Sequence, residues 1–443
     1  MNASPKRPNI LVMVSHDTGN RLSCYGGPVE TPNLDTIGNK GAKFTNNFAT
    51  APQCSPSRGS ILTGKMPHVN GLIGLSNRGW NLPTSNKTIP KMLSEAGYVT
   101  QLIGLQHVHE DRTTIGYQKT NNPVFEAPFF ACQVKNRAIK FFKKVEAGKI
   151  KQPFYCKLGF FETHRPFLTG RRKRTRPQDV VLPDYLPDTL EVRKEIGRFD
   201  GMLRELDFRV GQILRALRET TFAENTIVIY TVDHGWPFPR AKGTLFDAGI
   251  KTALLMHWPG YIEGGRVYSD LISNVDLLPT IMEIVGNPLS NKKISELQGQ
   301  SFKSLILPGK NSYQPRNHIF AELTYHDQGY NPIRCIRTKK WKFIKNFEKF
   351  GDQLFMIPVD FKDKASGKDY RANHPEYNSI RPDEELYDLE NDPGEWNNLA
   401  MDQDYKEVVS NLREQLMDFL KNTNDPVLDG SVPPMRGKGP IIM

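Results

Sequence analysis

Five apolar runs, four of them followed within three residues by histidine or aspartate, are the feature that most limits how this chain can fold. The runs lack strict polar alternation, which is typical of strands covered on both faces of a sheet. They are Asn9–Ser15, Tyr98–Gly104, Phe154–Phe161, Thr226–Val232 and Thr252–Trp258. Amphipathic segments lie between them, and Glu195–Arg218 has the clearest helical spacing of apolar residues. The sequence therefore predicts an α/β fold with a wound core.

Polar residues come just after four of these strands, within three residues of the strand end. In order of the strands they are His16 with Asp17, then His107, then His164, then Asp233 with His234. Ligands of open α/β sheets bind outside the carboxyl ends of the strands. We therefore expect these side chains to share one site. Two further helices are predicted at Thr88–Ala96 and Asp270–Gly286.

The alternation of apolar strands with amphipathic helices stops after residue 308, and a smaller α+β unit is predicted there. Ile333–Thr338 and Trp341–Asn346 form a predicted hairpin, Glu385–Asp388 a strand and Tyr405–Lys421 a closing helix. We expect a catalytic domain at 1–330 and a C-terminal subdomain with an antiparallel sheet at 331–443. The polar stretch 348–384 is interpreted as a surface excursion, and residues 424–443 as extended chain.

The chain is basic, with a formal net charge of +11. This charge is consistent with an anionic partner, although a generic basic surface is the simpler explanation of the charge alone. No nucleic-acid-binding signature is present, so nucleic acid is not expected as a partner. The five cysteines are odd in number and widely spread, so no disulfide framework is visible.

No run of residues is apolar enough to predict a transmembrane span, so no membrane partner is expected. Residues 1–8 enter the first strand without a secretory leader pattern. We expect either a cytoplasmic protein, or a periplasmic or secreted one whose leader has been removed.

Residues 54–64 read Cys-Ser-Pro-Ser-Arg-Gly-Ser-Ile-Leu-Thr-Gly. Pro56 fits the first turn of a helix, where backbone N–H groups and the helix dipole favour an anion. Arg58, one turn on, can stabilise developing negative charge. The alternative is a buried structural cysteine that precedes a helix.

This segment resembles the C-x-P-S-R-x-x-x-L-T-G signature of type I sulfatases, in the alkaline-phosphatase-like superfamily. The resemblance extends to Glu385-Leu-Tyr-Asp-Leu, and the fragment Asp233-His-Gly-Trp-Pro-Phe-Pro is similar to the heparan N-sulfatase (sulfamidase) branch. It implies a large mixed sheet flanked by helices. It also implies that a maturation enzyme oxidises Cys54 to formylglycine, whose hydrated aldehyde takes the sulfate.

The resemblance further implies one divalent cation, with calcium as the family expectation. The matching ligand positions are His16, Asp17, Cys54, Asp233 and His234. Related chains have two acids where this chain has His16 and Asp17. Calcium prefers oxygen ligands, whereas imidazole suits zinc, manganese and other transition metals. The identity of the metal therefore stays open.

Catalytic and sugar-contacting positions are carried over in the same way. The catalytic set is Cys54, Arg58, His107, His164 and Lys242, and the substrate-binding set is His68, His326 and Arg334. Leu105 stands where related enzymes have a lysine that bridges nucleophile and sulfate. The lost cation is expected to weaken catalysis unless another group replaces it.

We therefore expect a carbohydrate sulfatase that hydrolyses sulfate esters or N-sulfates of sugars from sulfated polysaccharides. One alternative is a phosphoesterase or phosphonate hydrolase on the same scaffold, because fold does not fix function. Another is a non-catalytic sulfatase-like binding protein, in which His16 and Leu105 mark a decayed site. The joint presence of Cys54, Arg58 and Asp17 argues against that second alternative.

Overall fold

The computed structural model describes residues 7–120, 130–286, 296–307, 312–327, 329–347, 358–375, 381–430 and 432. Within these residues, a mixed sheet of nine strands forms the body of the protein. Its strands are β1 Asn9–Ser15, β2 Ala42–Phe48, β3 Val99–Gly104, β4 Lys119–Thr120, β5 Phe154–Gly159, β6 Thr226–Val232, β7 Lys251–His257, β8 Arg266–Tyr268 and β9 Ile272–Ser273. All five strands predicted from the apolar runs are confirmed, with ends that shift by one or two residues.

The sheet has the order β4-β3-β5-β1-β6-β7-β2-β8, and β9 pairs with β2. The strands from β4 to β6 are parallel, whereas β7 runs antiparallel to both β6 and β2. β1 therefore lies at the centre, between β5 and β6. The carboxyl ends of β1, β3, β5 and β6 meet at one edge of the sheet, as the polar residues after them require.

Helices cover both faces of this sheet. They are α1 Pro32–Asn39, α2 Cys54–Thr63, α3 Pro67–Asn70, α4 Ile89–Glu95, α5 Ala131–Glu146, α6 Leu190–Arg218, α7 Asp247–Ile250 and α8 Leu277–Ile284. Successive residues of β1 point to opposite faces. Leu11 belongs to the apolar core that also contains residues of α5 and α6, while Ile10 belongs to the core beneath α2, α4 and α8. Burial on both faces explains why these strands show no polar alternation.

Two predicted helices begin at different residues in the structure. α6 starts at Leu190 instead of Glu195, because the hydroxyl of Thr189 caps it by accepting from the backbone N–H of Val192. The prediction of a helix over Asp270–Gly286 is wrong for the residues before Leu277. Ile272 pairs with β2 there, and α8 begins only at Leu277. α4 confirms the prediction at Thr88–Ala96.

A second sheet forms the C-terminal part. It has the order β10-β11-β12-β13 with antiparallel neighbours: β10 is His318–His326, β11 Gly329–Thr338, β12 Trp341–Asn346 and β13 Glu384–Asp388. The other helices of this part are α9 Lys303–Ile306, α10 Val359–Lys362, α11 Ala365–Asn373 and α12 Lys406–Asn422. The predicted hairpin, strand and closing helix are confirmed. The boundary expected at residue 330 falls within β11, and the division into two domains stays a prediction.

The interpretation of 348–384 as a surface excursion is wrong for residues 358–375. Phe361 in α10 and Tyr370 in α11 are fully buried. The Ser366 hydroxyl donates to Glu195 of α6, which anchors this segment to the large sheet's helices. Residues 348–357 and 376–380 lie outside the described residues. Most of the tail predicted as extended does too, although Pro426–Asp429 forms a short 3-10 helix.

The described chain also bears on the membrane question. In these ranges, no helix combines the length and the apolar character needed to cross a bilayer.

Candidate active site

Two neighbouring parallel strands bring the acidic and imidazole groups together. The last residues of β1 and β6 lie opposite each other. His16 and Asp17 follow β1, and Asp233 and His234 follow β6, so the two pairs meet at the edge of the sheet. The backbone N–H groups of Asp17 and His234 both donate to Oδ1 of Asp233, at 2.8 and 3.0 Å. These bonds fix the carboxylate of Asp233 between the two loops.

The N-terminus of α2 adds Cys54 to this cluster. Its Sγ lies 3.4 Å from Nε2 of His234 and 3.9 Å from Oδ1 of Asp17. All ten residues of α2 are buried, and the helix ends at Gly64 in the left-handed region with φ 67°. Burial raises the pKa of the Cys54 thiol well above its ordinary value, although Lys242 opposes this shift. A thiol with a raised pKa is mostly protonated and is a poor nucleophile.

The predicted metal ligands do converge. One ligand atom from each of five buried residues lies within 4.8 Å of all the others, in the set His16, Asp17, Cys54, Asp233 and His234. Nε2 of His234 and Nδ1 of His16 lie 2.9 and 2.6 Å from Oδ1 of Asp17. Two carboxylates and two imidazoles this close together make a donor set of the kind that holds a divalent cation.

The tautomer of His234 supports the same interpretation. Its Nδ1 lies 2.9 Å from the carbonyl oxygen of Gly235, which can only accept a hydrogen bond. In the neutral ring Nε2 is then the nitrogen with the free lone pair, and it faces Asp17 and Cys54. Such a second hydrogen bond commonly orients histidines that bind metals. The residues present therefore fit a divalent ion.

The charges around Asp17 and Asp233 keep both acids ionised. Burial alone would raise their pKa values. For Asp17 the effect of Lys242 and three histidines outweighs burial and holds the pKa well below its usual range. For Asp233 Arg58 is the largest opposing charge, and the pKa is again lowered. Two ionised carboxylates are thus available to a cation.

Arg58 lies one turn into α2 and is fully buried. Its Nε and Nη2 lie 3.0 and 2.9 Å from Oδ2 of Asp233. Its Nη1 has no hydrogen-bond partner among the described residues. Because a buried guanidinium N–H is costly to leave unpaired, Nη1 is a candidate donor to a bound anion.

Lys242 reaches the cluster from the loop after β6. Its Nζ lies 2.7 Å from Oδ2 of Asp17 and 2.9 Å from Oδ2 of Asp360. Burial opposes the charged ammonium, but the two carboxylates outweigh it and raise the pKa of Lys242 well above its ordinary value. Asp360 belongs to α10, within the stretch that the sequence pattern assigned to the surface. The structure thus adds to the site an acid that sequence analysis missed.

The imidazoles of His16, His107 and His164 lie close together near the carboxyl ends of β1, β3 and β5. The ring centroids of His16 and His164 are 4.4 Å apart, and those of His16 and His107 are 5.8 Å apart. Burial and, next, Lys242 lower the pKa of His164 to about 3. The Arg165 carbonyl pairs with Nδ1 of His164, so Nε2, which is 3.9 Å from Oδ2 of Asp17, is the nitrogen directed at the cluster.

His107 has neither ring nitrogen hydrogen-bonded within the described chain, although it is only 8% exposed. It stands in the left-handed region with φ 56°, and Asp17 does so with φ 52°. Such backbone conformations concentrate at functional sites, where the surrounding structure enforces them. Leu105 lies two residues before His107 and has an uncharged side chain, so the position where related enzymes have a lysine carries no positive charge in this chain.

A second titratable group that sequence analysis missed, the amine of Lys157, lies beneath the cluster. Lys157 sits in β5, and alternation along the strand places it on the face that packs against α2. It is 1% exposed. Burial, and secondly Arg58, lower its pKa to about 7, while Asp233 opposes this shift. With a pKa of about 7, the Lys157 amine is about half protonated near neutral pH, so burial and Arg58 weaken the positive charge that it could supply where Leu105 has replaced the expected lysine.

Of the three expected sugar-binding residues, His326 is near the cluster. It is 2% exposed, and its Nδ1 has no hydrogen-bond partner among the described residues. The ring lies against Gly243, where a side-chain Cβ would come within 3.0 Å of Nδ1. Burial lowers the pKa of His326, with Lys242 acting in the same direction.

His68 and Arg334 are placed elsewhere, in a buried ion-pair network. Nδ1 of His68 lies 2.5 Å from Oε2 of Glu322, and its Nε2 lies 2.9 Å from the hydroxyl of Thr423. Nε and Nη2 of Arg334 lie 2.6 and 2.9 Å from the two carboxylate oxygens of Asp425. These protein partners join β10 and β11 to the C-terminal segment, and the expected contact of His68 and Arg334 with a sugar stays a prediction.

Comparison with known proteins agrees with this geometry. The family described as Sulfatase matches residues 8–287. The chain belongs to the sulfatase family. The family described as N-sulphoglucosamine sulphohydrolase, C-terminal, matches residues 233–362, which include Lys242 and Asp360. This sulfatase is therefore an enzyme of the sulfuric ester hydrolase class, and the family predicted from residues 54–64 is confirmed.

Named relatives of this sulfatase resemble it over most of its length. N-sulphoglucosamine sulphohydrolase of Homo sapiens is 27% identical over 463 residues, which cover 94% of this chain and 91% of the human protein. An ulvan-active sulfatase of Formosa agariphila is 28% identical over 475 residues, which cover 95% of this chain and 76% of the relative.

Solved structures show the same fold. One, determined in complex with D-glucosamine-2-N,6-O-disulfate, has a TM-score of 0.72 at 20% identity and covers 96% of this sulfatase and 100% of that chain. The structure of a 2-O GAG sulfatase also has a TM-score of 0.72 at 20% identity, and the match covers 98% of this sulfatase and 99% of that chain. The prediction of a large mixed α/β sheet with a smaller C-terminal antiparallel sheet is confirmed.

Proposed function

We propose that this sulfatase hydrolyses the sulfate ester or N-sulfate of a sugar unit from a sulfated polysaccharide. The observation that carries the proposal is the position of Cys54 at a helix N-terminus, 3.4 Å from His234 and enclosed by a cation-binding set. Relatives named for N-sulphoglucosamine and for ulvan support a saccharide as the substrate.

We further propose that residue 54 acts as formylglycine, after oxidation of Cys54 by a maturation enzyme. A hydrated aldehyde offers two hydroxyl groups, one to take the sulfuryl group and one to expel it, and so divides a difficult reaction into two steps. The raised pKa of the unmodified thiol supports this assignment, because the cysteine itself is poorly suited to attack.

A divalent cation, for which we propose calcium, would be held by His16, Asp17, Asp233, His234 and residue 54. When bound, such an ion supplies Lewis-acid stabilisation to sulfate oxygens. The imidazole of His16 is the ligand that would make a transition metal competitive with calcium.

The other groups act on the sulfate and on the leaving atom. Nη1 of Arg58 and a ring nitrogen of His107, both unpaired in the described chain, are donors for sulfate oxygens, and Lys242 adds positive charge beside them. His164 presents Nε2 to the same space. A bound anion favours the charged imidazolium of His164, which can then give its Nε2 proton to the departing oxygen or nitrogen.

The proposal is tested by measuring sulfate release from a panel of N- and O-sulfated oligosaccharides, with phosphate and phosphonate esters assayed in parallel. Peptide mass spectrometry of residue 54 shows whether the thiol has become an aldehyde. We expect the aldehyde together with sulfate release. Turnover of phosphate esters in preference to every sulfated sugar would contradict the proposal and favour the phosphoesterase alternative.

A further inference from the structure

A basic groove lies at the β4 edge of the large sheet, apart from the Cys54 cluster. It is a concavity of about 770 Å³ between β3 and β4 on one side and α5 with its following turn on the other. Five of the residues that line it are cations: Lys119, Arg137, Lys140, Lys144 and Lys149. We call this feature the edge groove.

The charge of the edge groove is unbalanced. No aspartate or glutamate is among the described residues that line it. Lys119, Lys140, Lys144 and Lys149 are all exposed, and none forms an ion pair within the described part of the chain. Other exposed lysines do pair, as Lys87 does with Glu95 at 2.8 Å. A concave surface with one sign of charge attracts and concentrates an oppositely charged ligand.

The cations are spaced along a line. Arg137, Lys140 and Lys144 lie at positions i, i+3 and i+7 of α5, hence on one face of the helix. Because a helix rises 1.5 Å per residue, they span about 10 Å. Lys149, in the turn that follows the helix, and Lys119, in the edge strand β4, also line the groove. This arrangement suits an extended polyanion better than a single small anion.

The edge groove and the active site are at different places on the fold. The backbone N–H of Ala131, at the start of α5, donates to Glu162, two residues before His164. Lys144 is thirteen residues further along α5, which places it on the order of 20 Å from that end. A ligand that fills both places must be a chain of several sugar units.

We infer that the edge groove is a second binding site for a sulfated polysaccharide chain, outside the active site, which tethers long substrates to the enzyme. This inference rests on the proposed function for the class of ligand. Single-stranded nucleic acid is the less suitable polyanion, because such sites combine cations with stacking aromatic rings. Phe141, the aromatic residue among those that line the groove, is buried.

The test uses the Cys54→Ala protein, so that binding is measured without turnover. Lys140→Gln, Lys144→Gln and Lys149→Gln are combined and compared with a triple variant of equal charge at exposed sites elsewhere, Lys40→Gln, Lys368→Gln and Lys406→Gln. Full-length heparin, a heparin tetrasaccharide and a single-stranded DNA are the probes. We expect the groove variant to bind full-length heparin about 10-fold more weakly than the control variant. Its tetrasaccharide affinity should stay within about 2-fold, since a short chain gains little from a second site.

The dependence of binding on salt provides a second measurement. The slope of log Kd against log salt should be shallower for the groove variant, because fewer cations neutralise the polyanion. Equal heparin affinities and equal salt slopes for the two triple variants would overturn the inference. Tighter groove-dependent binding of the DNA than of heparin would also overturn it. Failure of the proposed function is a separate result, seen as absent sulfate release by the enzyme that retains Cys54.

Discussion

Nζ of Lys242 lies 2.7 Å from Oδ2 of Asp17, which connects a cation proposed to act on the sulfate with the proposed metal-binding set. The other oxygen of Asp17 lies 2.9 Å from Nε2 of His234. Asp17 is therefore shared between a fixed positive charge and the donor set, and a change in either partner alters its orientation. Charge-assisted hydrogen bonds are stronger than neutral ones, so these partners restrict the orientation of the Asp17 carboxylate.

Asp360→Asn tests how Lys242 is held. The carboxylate of Asp360 lies 2.9 Å from Nζ of Lys242, and its loss removes one of two acids that position the ammonium. Hydrogen bonds to charged groups contribute about 1.5–3 kcal/mol, so kcat/KM should fall about 10- to 100-fold. Asp363→Asn, at an exposed position of the same segment, is the control and should keep full activity. Equal rates for the two variants would contradict a positioning role.

Cys54→Ala should abolish sulfate release and leave the fold intact. The Sγ contacts of Cys54 in the described chain are with His16, Asp17 and His234 of the cluster, and alanine fits the first turn of α2. Sulfate release and far-ultraviolet circular dichroism are the two measurements. Cys132→Ala, at a half-buried position of α5, is the matched control. Residual turnover comparable to that of the control would exclude residue 54 as the nucleophile.

His16→Asp tests the metal preference. The substitution replaces an imidazole by a carboxylate in the donor set and should shift the preference towards calcium, away from zinc and manganese. Elemental analysis and thermal unfolding with each ion measure the shift. A metal at 100 times its Kd adds about 2.7 kcal/mol to the free energy of unfolding, which is enough to detect in a melt. An unchanged order of metals would show that His16 is not a ligand.

Arg334→Met tests whether Arg334 is structural. The change leaves the buried carboxylate of Asp425 without its guanidinium partner and should lower the free energy of unfolding by about 3–5 kcal/mol. Combining it with Asp425→Asn removes the uncompensated charge and should recover much of the loss. Denaturant unfolding gives these values. A folded Arg334→Met protein that selectively loses oligosaccharide turnover would restore the sugar-contact interpretation.

Glu162→Gln tests a pH-dependent contribution to stability. Burial raises the pKa of Glu162 from 4.5 to about 7. The unfolded state loses this proton as the pH rises through 4.5, whereas the folded state keeps it until about pH 7. The native protein is therefore progressively destabilised between those values, by about 3 kcal/mol in all.

Glutamine can keep the hydrogen bonds to the N–H of Ala131 and the hydroxyl of Thr169 without a charge. The variant should match the native protein near pH 5 and become more stable than it at pH 8. Urea unfolding at several pH values makes the comparison. A constant difference in stability between the two proteins across this range would refute the raised pKa.

The convergence of the candidate metal-binding set could be predicted because each of its members has a local signal. His16, Asp17, Asp233 and His234 each follow a strand whose apolar run is visible in the sequence. Parallel pairing of β1 with β6 then brings the four together without further information. Cys54 is recognisable from its own helix-opening motif.

The features of the site that sequence analysis missed depend on contacts between distant parts of the chain. Asp360 enters the site because α10 folds back onto Lys242, 118 residues away, and nothing in the polar stretch around it indicates that docking. Lys157 has the sequence pattern of a strand residue, and its proximity to Arg58 follows from the packing of α2. The contact between His68 and Glu322 could not be predicted, because Glu322 lies 254 residues further along the chain.

The burial of α2 limits when Cys54 can be oxidised. Cys54 is 2% exposed, and every residue of its helix is covered by the sheet and by neighbouring segments. A second enzyme cannot enclose this thiol in the finished fold without pulling the central helix out of the core. The proposed oxidation must therefore take place on the nascent or still unfolded polypeptide. In a molecule that folds before it is oxidised, residue 54 remains a cysteine.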